Sequence, residues 1–184
     1  QAVSRGLGDV YKRQVRYNVI QWVHRSTRGW SYGSSVRDPR TQEILKGHVT
    51  LGSLRVRQDY LIAEGLIAPY GEDDSMDEAK EELSEFALAR IRQLSAHEVG
   101  HTLGIAHNFA ASADGRASVM DYPHPLVTLD DSGEIVLEGA YDVGIGDWDK
   151  RAVIWGYQDF PDGTSAPEGR EAIMRETLAS GLRY

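Results

Sequence analysis

Apolar and polar side chains alternate along two segments in the first third of the chain. One segment runs from Val15 to Val23 and the other from Ile44 to Leu51. A period of two indicates a β-strand, because successive side chains of a strand point to opposite faces. We therefore predict a strand in each segment and a polar loop over residues 24–35. The second strand carries lysine, histidine and threonine on its polar side, so we expect an edge strand or an exposed strand.

Farther along, apolar residues recur at the spacing of an α-helix. A capping box over residues 75–78 predicts where this helix begins. The helix should run on into a pair of histidines near residue 100, although a break near Ser84 also fits the pattern. Its apolar stripe consists of Leu83, Ala87, Ile91 and Leu94.

The remaining pattern predicts three more helices and one hairpin. Helices are expected over residues 53–66, from Asp147 as the capping residue to about 155, and from a capping box at 165–168 to about 180. A β-hairpin is expected around the turn at 130–133, which lies between two short apolar segments.

The composition is that of one ordinary globular domain, with 184 residues, 41% hydrophobic and 26% charged. Residues 1–14 have no apolar periodicity and resemble a translated adaptor artefact. We expect an artefact or a disordered tail there, and a genuine N-terminal strand is the alternative. We expect residues 15–184 to form a single domain that is cut at its C-terminus.

Charge and cysteine content exclude several classes of function. The formal net charge of -8 argues against nucleic acid and anionic membranes as partners. No apolar run approaches the length of a membrane span. The chain has no cysteine, so neither disulfides nor thiolate metal ligands are available.

The candidate chemistry lies at the end of the long helix, in the pattern H-E-x-x-H-x-x-G-x-x-H over residues 97–107. Because residues four apart share a helix face, His97 and His101 can direct their imidazoles at one point. A zinc ion binds histidine nitrogens at about 2.0–2.1 Å. Glu98 points about 100° round the helix from the first histidine. There it can hold a metal-bound water.

The third histidine requires the chain to turn. A continuing helix would carry His107 away from the metal, but Gly104 can adopt the left-handed conformation that ends a helix. A single histidine on an apolar face is more often a core residue than a ligand. Three histidines, a glutamate and a glycine at spacings that one geometry explains favour zinc, with His97, His101 and His107 as ligands.

These residues resemble the metzincin clan of zinc endopeptidases, in which a methionine turn follows the zinc motif. The segment SVMDYP at residues 118–123 is similar to that turn. The resemblance implies that Met120 forms a hydrophobic floor beneath the metal. It also implies that Tyr122, at the M-x-Y spacing, approaches the metal and stabilises the oxyanion; a purely structural tyrosine is the alternative.

A narrower resemblance is to the bacterial Met-zincin family of large zinc-dependent metalloproteases. The segments HNFAAS, RYNVIQW, DPRT and LGSLRV, which begin at residues 107, 16, 38 and 51, look typical of it. The resemblance implies an α+β fold with a mixed twisted sheet, a long active-site helix, a methionine turn and C-terminal helices. It also implies that the strand at 44–51 is the edge that lines the cleft, and that the protein is exported to the periplasm, cell surface or medium.

We therefore expect a zinc endopeptidase that acts on proteins or peptides. Glu98 would be the general base for a zinc-activated water. One alternative is a catalytically silent, zinc-dependent peptide-binding module, although binding alone has no use for a base at position 98. The other is a zinc amidase with a non-peptide substrate.

Overall fold

A computed structural model describes residues 14–25, 29–67, 75–122 and 124–183, with only the backbone for residues 75–79. Apart from Gln14, residues 1–14 lie outside the described residues, and so does the prediction that they form an artefact or a tail. The described elements make a mixed α+β fold, the class that the sequence predicts.

Three strands form the main sheet: β1 (Val19–Val23), β2 (Tyr32–Arg37) and β3 (Ile44–Gly52). Their spatial order is β1-β3-β2, with β1 parallel to β3 and β2 antiparallel to it. The register places His48 between Val19 of β1 and Ser34 of β2. The two predicted strands are present, and β1 begins four residues later than the predicted strand at Val15.

The prediction that residues 44–51 form the exposed edge is wrong. β3 lies between two hydrogen-bonded neighbours, and its polar residues Lys46 and Thr50 are only 5% and 1% exposed. The edge strand beside the helix is β2, which falls partly in the segment predicted to be a loop. Glycine and serine give β2 a weak intrinsic preference for strand, so its conformation depends on pairing with β3.

Two helices pack next to each other after the sheet. They are α1 (Leu54–Ile67) and α2 (Ser75–Thr102). α2 begins at Ser75, as predicted, and continues without a break through Ser84. Leu83, Ala87 and Leu94 of the predicted stripe are buried.

The main hydrophobic cluster joins α1 and α2 to the segment that follows the hairpin. Its buried members are Ala63, Leu83, Phe86, Leu137, Ala140 and Tyr141. The rings of Phe86 and Tyr141 lie 5.3 Å apart between centroids. Burial of apolar surface at this cluster anchors the middle of α2, so the last turns of the helix extend from a fixed base.

The second half of the chain consists of short elements and two helices. The predicted hairpin is confirmed as β4 (Thr128–Leu129) and β5 (Ile135–Val136), with shorter strands than expected. A 3₁₀ helix covers Phe109–Asp114, and the helices are α3 (Asp147–Tyr157) and α4 (Ala166–Ala179). In the described part of the chain, no helix has both the length and the hydropathy to cross a membrane.

The caps of α3 and α4 differ in how well the sequence predicts them. α4 starts at the predicted capping box, in which Ser165 and Glu168 bond to each other's backbone N–H. For α3, the prediction that Asp147 is the cap is wrong, because Gly146 precedes the first helical residue. The carboxylate of Asp149 accepts the Gly146 N–H at 2.8 Å.

Candidate metal centre

Three histidine side chains converge at the end of α2. The Nε2 atoms of His97 and His107 lie 3.1 and 3.0 Å from the Nε2 atom of His101. His97 is buried, His101 is half-buried and His107 is exposed, so the cluster opens from the helix towards solvent. Within the described ranges, these three residues are the group of histidine and acidic side chains whose ligand atoms all lie within 4.8 Å.

The hydrogen bonds of the imidazoles determine what the cluster can hold. His97 Nδ1 donates to the Val119 carbonyl at 2.6 Å, and His101 Nδ1 donates to the Ile105 carbonyl at 2.9 Å. A carbonyl oxygen only accepts, so each Nδ1 carries a proton, and the neutral form of each ring has its lone pair at Nε2. Facing lone pairs repel each other unless a cation lies between them.

The spacing of the nitrogens also fits zinc. Around a tetrahedral ion with zinc–nitrogen distances of about 2.0–2.1 Å, neighbouring ligand nitrogens lie about 3.3 Å apart. The observed separations from His101 are 3.1 and 3.0 Å. The backbone carbonyls behind two of the rings are the kind of outer partner that fixes the tautomer and orientation of a metal-binding histidine.

The turn after α2 returns the chain to the cluster. Gly104 has a φ of 86°, a left-handed conformation that other residues rarely adopt. The Ile105 N–H donates to the Gly100 carbonyl at 3.1 Å and closes the end of the helix. Three residues after Gly104, His107 faces the two helical histidines.

Glu98 lies beside the cluster and is only 4% exposed. Burial raises the pKa of its carboxyl group, and the rise is opposed by charge on His101 and by the Gly33 N–H, which donates to it. Gly33 belongs to β2 and packs so closely that a Cβ there would overlap the Glu98 carbonyl. The glutamate is therefore held between helix and strand, with a proton affinity above that of a surface carboxylate.

Burial also sets the protonation state of the histidines. It lowers the pKa of His97 to about 4, and it lowers the pKa of the more exposed His107 as well. Both rings are therefore neutral at pH 7. Neutral imidazole is the form that binds a metal ion. Near neutral pH, a metal ion can therefore bind without first displacing a proton from His97 or His107.

Met120 lies against α2 at Gly100, the residue just before His101. It is 1% exposed, and a Cβ at Gly100 would overlap its sulfur atom. The backbone N–H of Asn108 donates to the Met120 carbonyl at 3.0 Å. The methionine segment is thus fixed both to the helix and to the chain that follows His107.

A buried carboxylate of α3 organises the same segment. Asp149 is 2% exposed and accepts hydrogen bonds from the Ser118 hydroxyl at 2.6 Å and from the Val119 N–H at 2.7 Å. The Val119 carbonyl in turn accepts from His97. Asp149 is therefore connected to the histidine cluster through a single residue.

Tyr122 lies on the open side of the cluster. Its hydroxyl is 3.0 Å from His107 Nε2, and its ring stacks on His97 with 5.3 Å between centroids. The residue is 55% exposed. Its phenol is therefore within reach of both the histidine nitrogens and anything bound over them.

An open cleft of about 620 Å³ lies over the cluster. One wall is formed by β2 and the residues just before it, including the exposed Trp30 and Tyr32. The opposite wall contains His107 and Tyr122. Among the described strands, β2 pairs only with β3.

A comparison with protein families gives an independent observation. The family model described as Met-zincin matches residues 79–184, which is more than half of the chain. The chain belongs to the Met-zincin family. No curated protein and no solved structure matches the chain. Family and histidine cluster together identify a zinc-binding, protease-like domain.

In this Met-zincin domain, the matched region contains the histidines, Met120, Tyr122 and both C-terminal helices, and the sheet lies before it. Sequence reasoning missed three contributors to the site: β2 as the cleft wall, Asp149 beneath the methionine segment, and Arg37 at the cleft. A short alternation at Tyr32, Ser34 and Val36 is the only local signal for β2. The role of Asp149 depends on contacts about thirty residues away and has no local signature.

Proposed function

We propose that this Met-zincin domain is a zinc-dependent endopeptidase. The observation that supports the proposal most strongly is the convergence of three histidine Nε2 atoms beside a buried glutamate in an open cleft. His97, His101 and His107 would hold the ion, and Met120 would be the floor beneath it. Three protein ligands leave a coordination position for water or substrate, which is typical of catalytic zinc sites.

When bound, zinc would act as a Lewis acid and lower the pKa of the water molecule that it holds. Glu98 would take a proton from the attacking water and deliver it to the departing amine. Its raised pKa suits the first task, because a surface carboxylate is a weaker base and takes a proton from water less readily. The Gly33 N–H and the surrounding burial keep the carboxylate in one position.

Tyr122 is the candidate for stabilising negative charge on the substrate oxygen. Its hydroxyl already lies near the histidine nitrogens, and a phenol donor there would act where charge develops in the transition state. Replacing it with phenylalanine should lower kcat and leave KM nearly unchanged, measured by steady-state cleavage of one peptide. If Tyr122→Phe has the same kcat as wild type, Tyr122 has a structural role only.

An extended peptide is the substrate that best fits the cleft. β2 forms one wall, and a strand with a free edge can bind another extended chain by backbone hydrogen bonds. A protein or peptide substrate is therefore proposed, and the acidic charge of the chain gives no support for nucleic acid. From family resemblance we also propose export from the cytoplasm, which cell fractionation of the full-length protein would test.

The decisive experiment compares three zinc-loaded proteins on a peptide library, with products read by mass spectrometry. Wild type should cleave, and Glu98→Gln should lose about 10²–10⁴ in rate while still binding one zinc per chain. Glu85→Gln is the matched control, because Glu85 lies on the same helix with a 65% exposed side chain. It should cleave like wild type.

Other outcomes separate the alternatives. A wild-type protein that binds zinc and peptide but cleaves nothing would be the silent binding module. Cleavage of small acylated amides without cleavage of peptides would indicate the amidase. Full activity of Glu98→Gln would remove the glutamate from the mechanism.

A further inference from the structure

The cleft lacks the acidic excess of the chain as a whole. The chain has a formal net charge of -8. Among the described residues that line the cleft, the only acidic side chain is Glu98, which is buried, and the only arginine or lysine is Arg37. An exposed cation without a neighbouring carboxylate in a cleft attracts negatively charged ligands.

Arg37 occupies a defined position at the end of the β2 wall of the cleft. It is the last residue of β2, and its Nε donates to the Ser35 hydroxyl at 3.1 Å. Its guanidinium packs over the turn after α2, where a Cβ at Gly104 would lie only 2.8 Å from Nη2. Gly104 follows His101 by three residues, so the guanidinium lies next to the segment that joins the metal-binding histidines.

No carboxylate among the described residues forms an ion pair with Arg37. The nearby Asp38 instead pairs with Arg40, whose Nη2 lies 2.9 Å from the Asp38 Oδ2. Arg37 therefore keeps free N–H donors that face the cleft. A guanidinium with free donors is suited to bidentate hydrogen bonding of a carboxylate.

We propose that Arg37 is a specificity-determining residue that selects peptides carrying a carboxylate near the cleaved bond. The inference rests on the proposed peptidase function and names its substrate class. The carboxylate can come from an aspartate or glutamate side chain within the peptide or from a free C-terminus. Both sources present the same planar group to the guanidinium.

The test uses matched peptides and reports a ratio. In a position-scanned library, glutamate is compared with glutamine at each position, once with an amidated C-terminus and once with a free one. Wild type should prefer glutamate, or the free C-terminus, at one position by about fivefold in kcat/KM, the scale expected for an exposed charge pair. The two arms distinguish the two sources of the carboxylate.

Variants assign that preference to one residue. Arg37→Gln should abolish the ratio, Arg37→Glu should invert it, and Arg37→Lys should retain part of it because the charge remains. Arg175→Glu is the matched control, since it makes the same charge change on a 70% exposed side chain of α4 that does not line the cleft. It should keep the wild-type ratio.

A binding measurement keeps the inference testable if nothing is cleaved. Zinc-loaded Glu98→Gln, with and without Arg37→Gln, is titrated with the same fluorescent peptide pairs, and dissociation constants are read by anisotropy. A glutamate preference that disappears with Arg37 supports the inference even if the peptidase proposal fails. A wild-type protein without carboxylate preference, or a preference that survives Arg37→Glu, would overturn it.

Discussion

At the scale of single residues, the site depends on positions where close packing or burial excludes other side chains. Gly33 and Gly100 are two examples, because a Cβ at either position would overlap a neighbour of the histidine cluster. His97 is a third, because its burial and its bond to the Val119 carbonyl determine both its charge and its tautomer. Each of these residues acts through packing or protonation that the side-chain type alone does not reveal.

Gly100→Ala should destabilise the protein although alanine favours helices. The added methyl group overlaps the Met120 sulfur, and overpacking of this kind costs about 1–3 kcal/mol in free energy of unfolding. Gly65→Ala in α1 is the control, because nothing lies within 4 Å of its Cβ position. That variant should gain about 0.5 kcal/mol from helix propensity. Urea unfolding of the metal-free protein measures the free energy of unfolding of both variants. A change of the same sign in the two variants would contradict the packing argument.

The metal-free protein should lose stability as the pH falls from about 6.5 to 4. The folded state holds the pKa of His97 at about 4, below the ordinary 6.5, so the unfolded chain binds this proton first. The full loss is on the order of 3 kcal/mol for a ring that is only 3% exposed. Below pH 4 this contribution stays constant.

Chemical unfolding in the presence of a chelator, repeated across that pH range, measures the effect. His97→Gln is the reference, since it cannot titrate. The difference in stability between wild type and His97→Gln should shrink as the pH falls, and a constant difference would rule out a buried neutral imidazole.

At the scale of elements, the site is built where α2, β2 and α3 meet. α2 supplies two histidines and the glutamate, β2 supplies the wall and the Gly33 N–H, and α3 supplies Asp149. The local pattern predicts α2 well, because an apolar stripe and a capping residue are adjacent in sequence. It does not predict β2, because the strand's partner determines its conformation.

Asp149→Ala should weaken zinc binding without removing any ligand. The variant loses the acceptor for Ser118 and Val119, so the carbonyl that orients His97 is no longer fixed. Losses of outer partners of this kind reduce metal affinity by about 10–100-fold. Competition with a chromophoric chelator measures the affinity.

Asp147→Ala is the control on the same helix. Asp147 has a 77% exposed side chain and pairs with Lys150, so its loss should leave zinc affinity within twofold of wild type, as expected for an exposed pair. Similar affinities for the two variants would show that Asp149 does not act through the methionine segment.

At the scale of the whole molecule, metal binding should stabilise the fold. The three histidines come from the end of α2 and from the segment after it. Asp149 of α3 fixes Val119, whose carbonyl accepts from His97. An ion that binds only the folded arrangement shifts the unfolding equilibrium by mass action, by about 2.7 kcal/mol at one hundred times Kd.

Zinc should therefore raise the Tm of the wild-type protein, and a chelator should reverse the rise. His107→Ala should lose most of the shift because one of three ligands is missing. His124→Ala should keep it, since His124 is an exposed histidine outside the cluster. Scanning calorimetry with and without zinc measures the shift, and an unchanged shift in His107→Ala would exclude that residue as a ligand.

The sequence by itself determined the features that depend on neighbouring residues. These are the helix that carries the histidine pair, the α4 capping box, the hairpin and the family, because helical spacing and capping act over a few positions. Only the tertiary structure decided which strand lines the cleft, how Asp149 reaches His97 through Val119, and where Arg37 points. Those outcomes depend on hydrogen bonds and burial between segments far apart in the chain, whose partners no local pattern specifies.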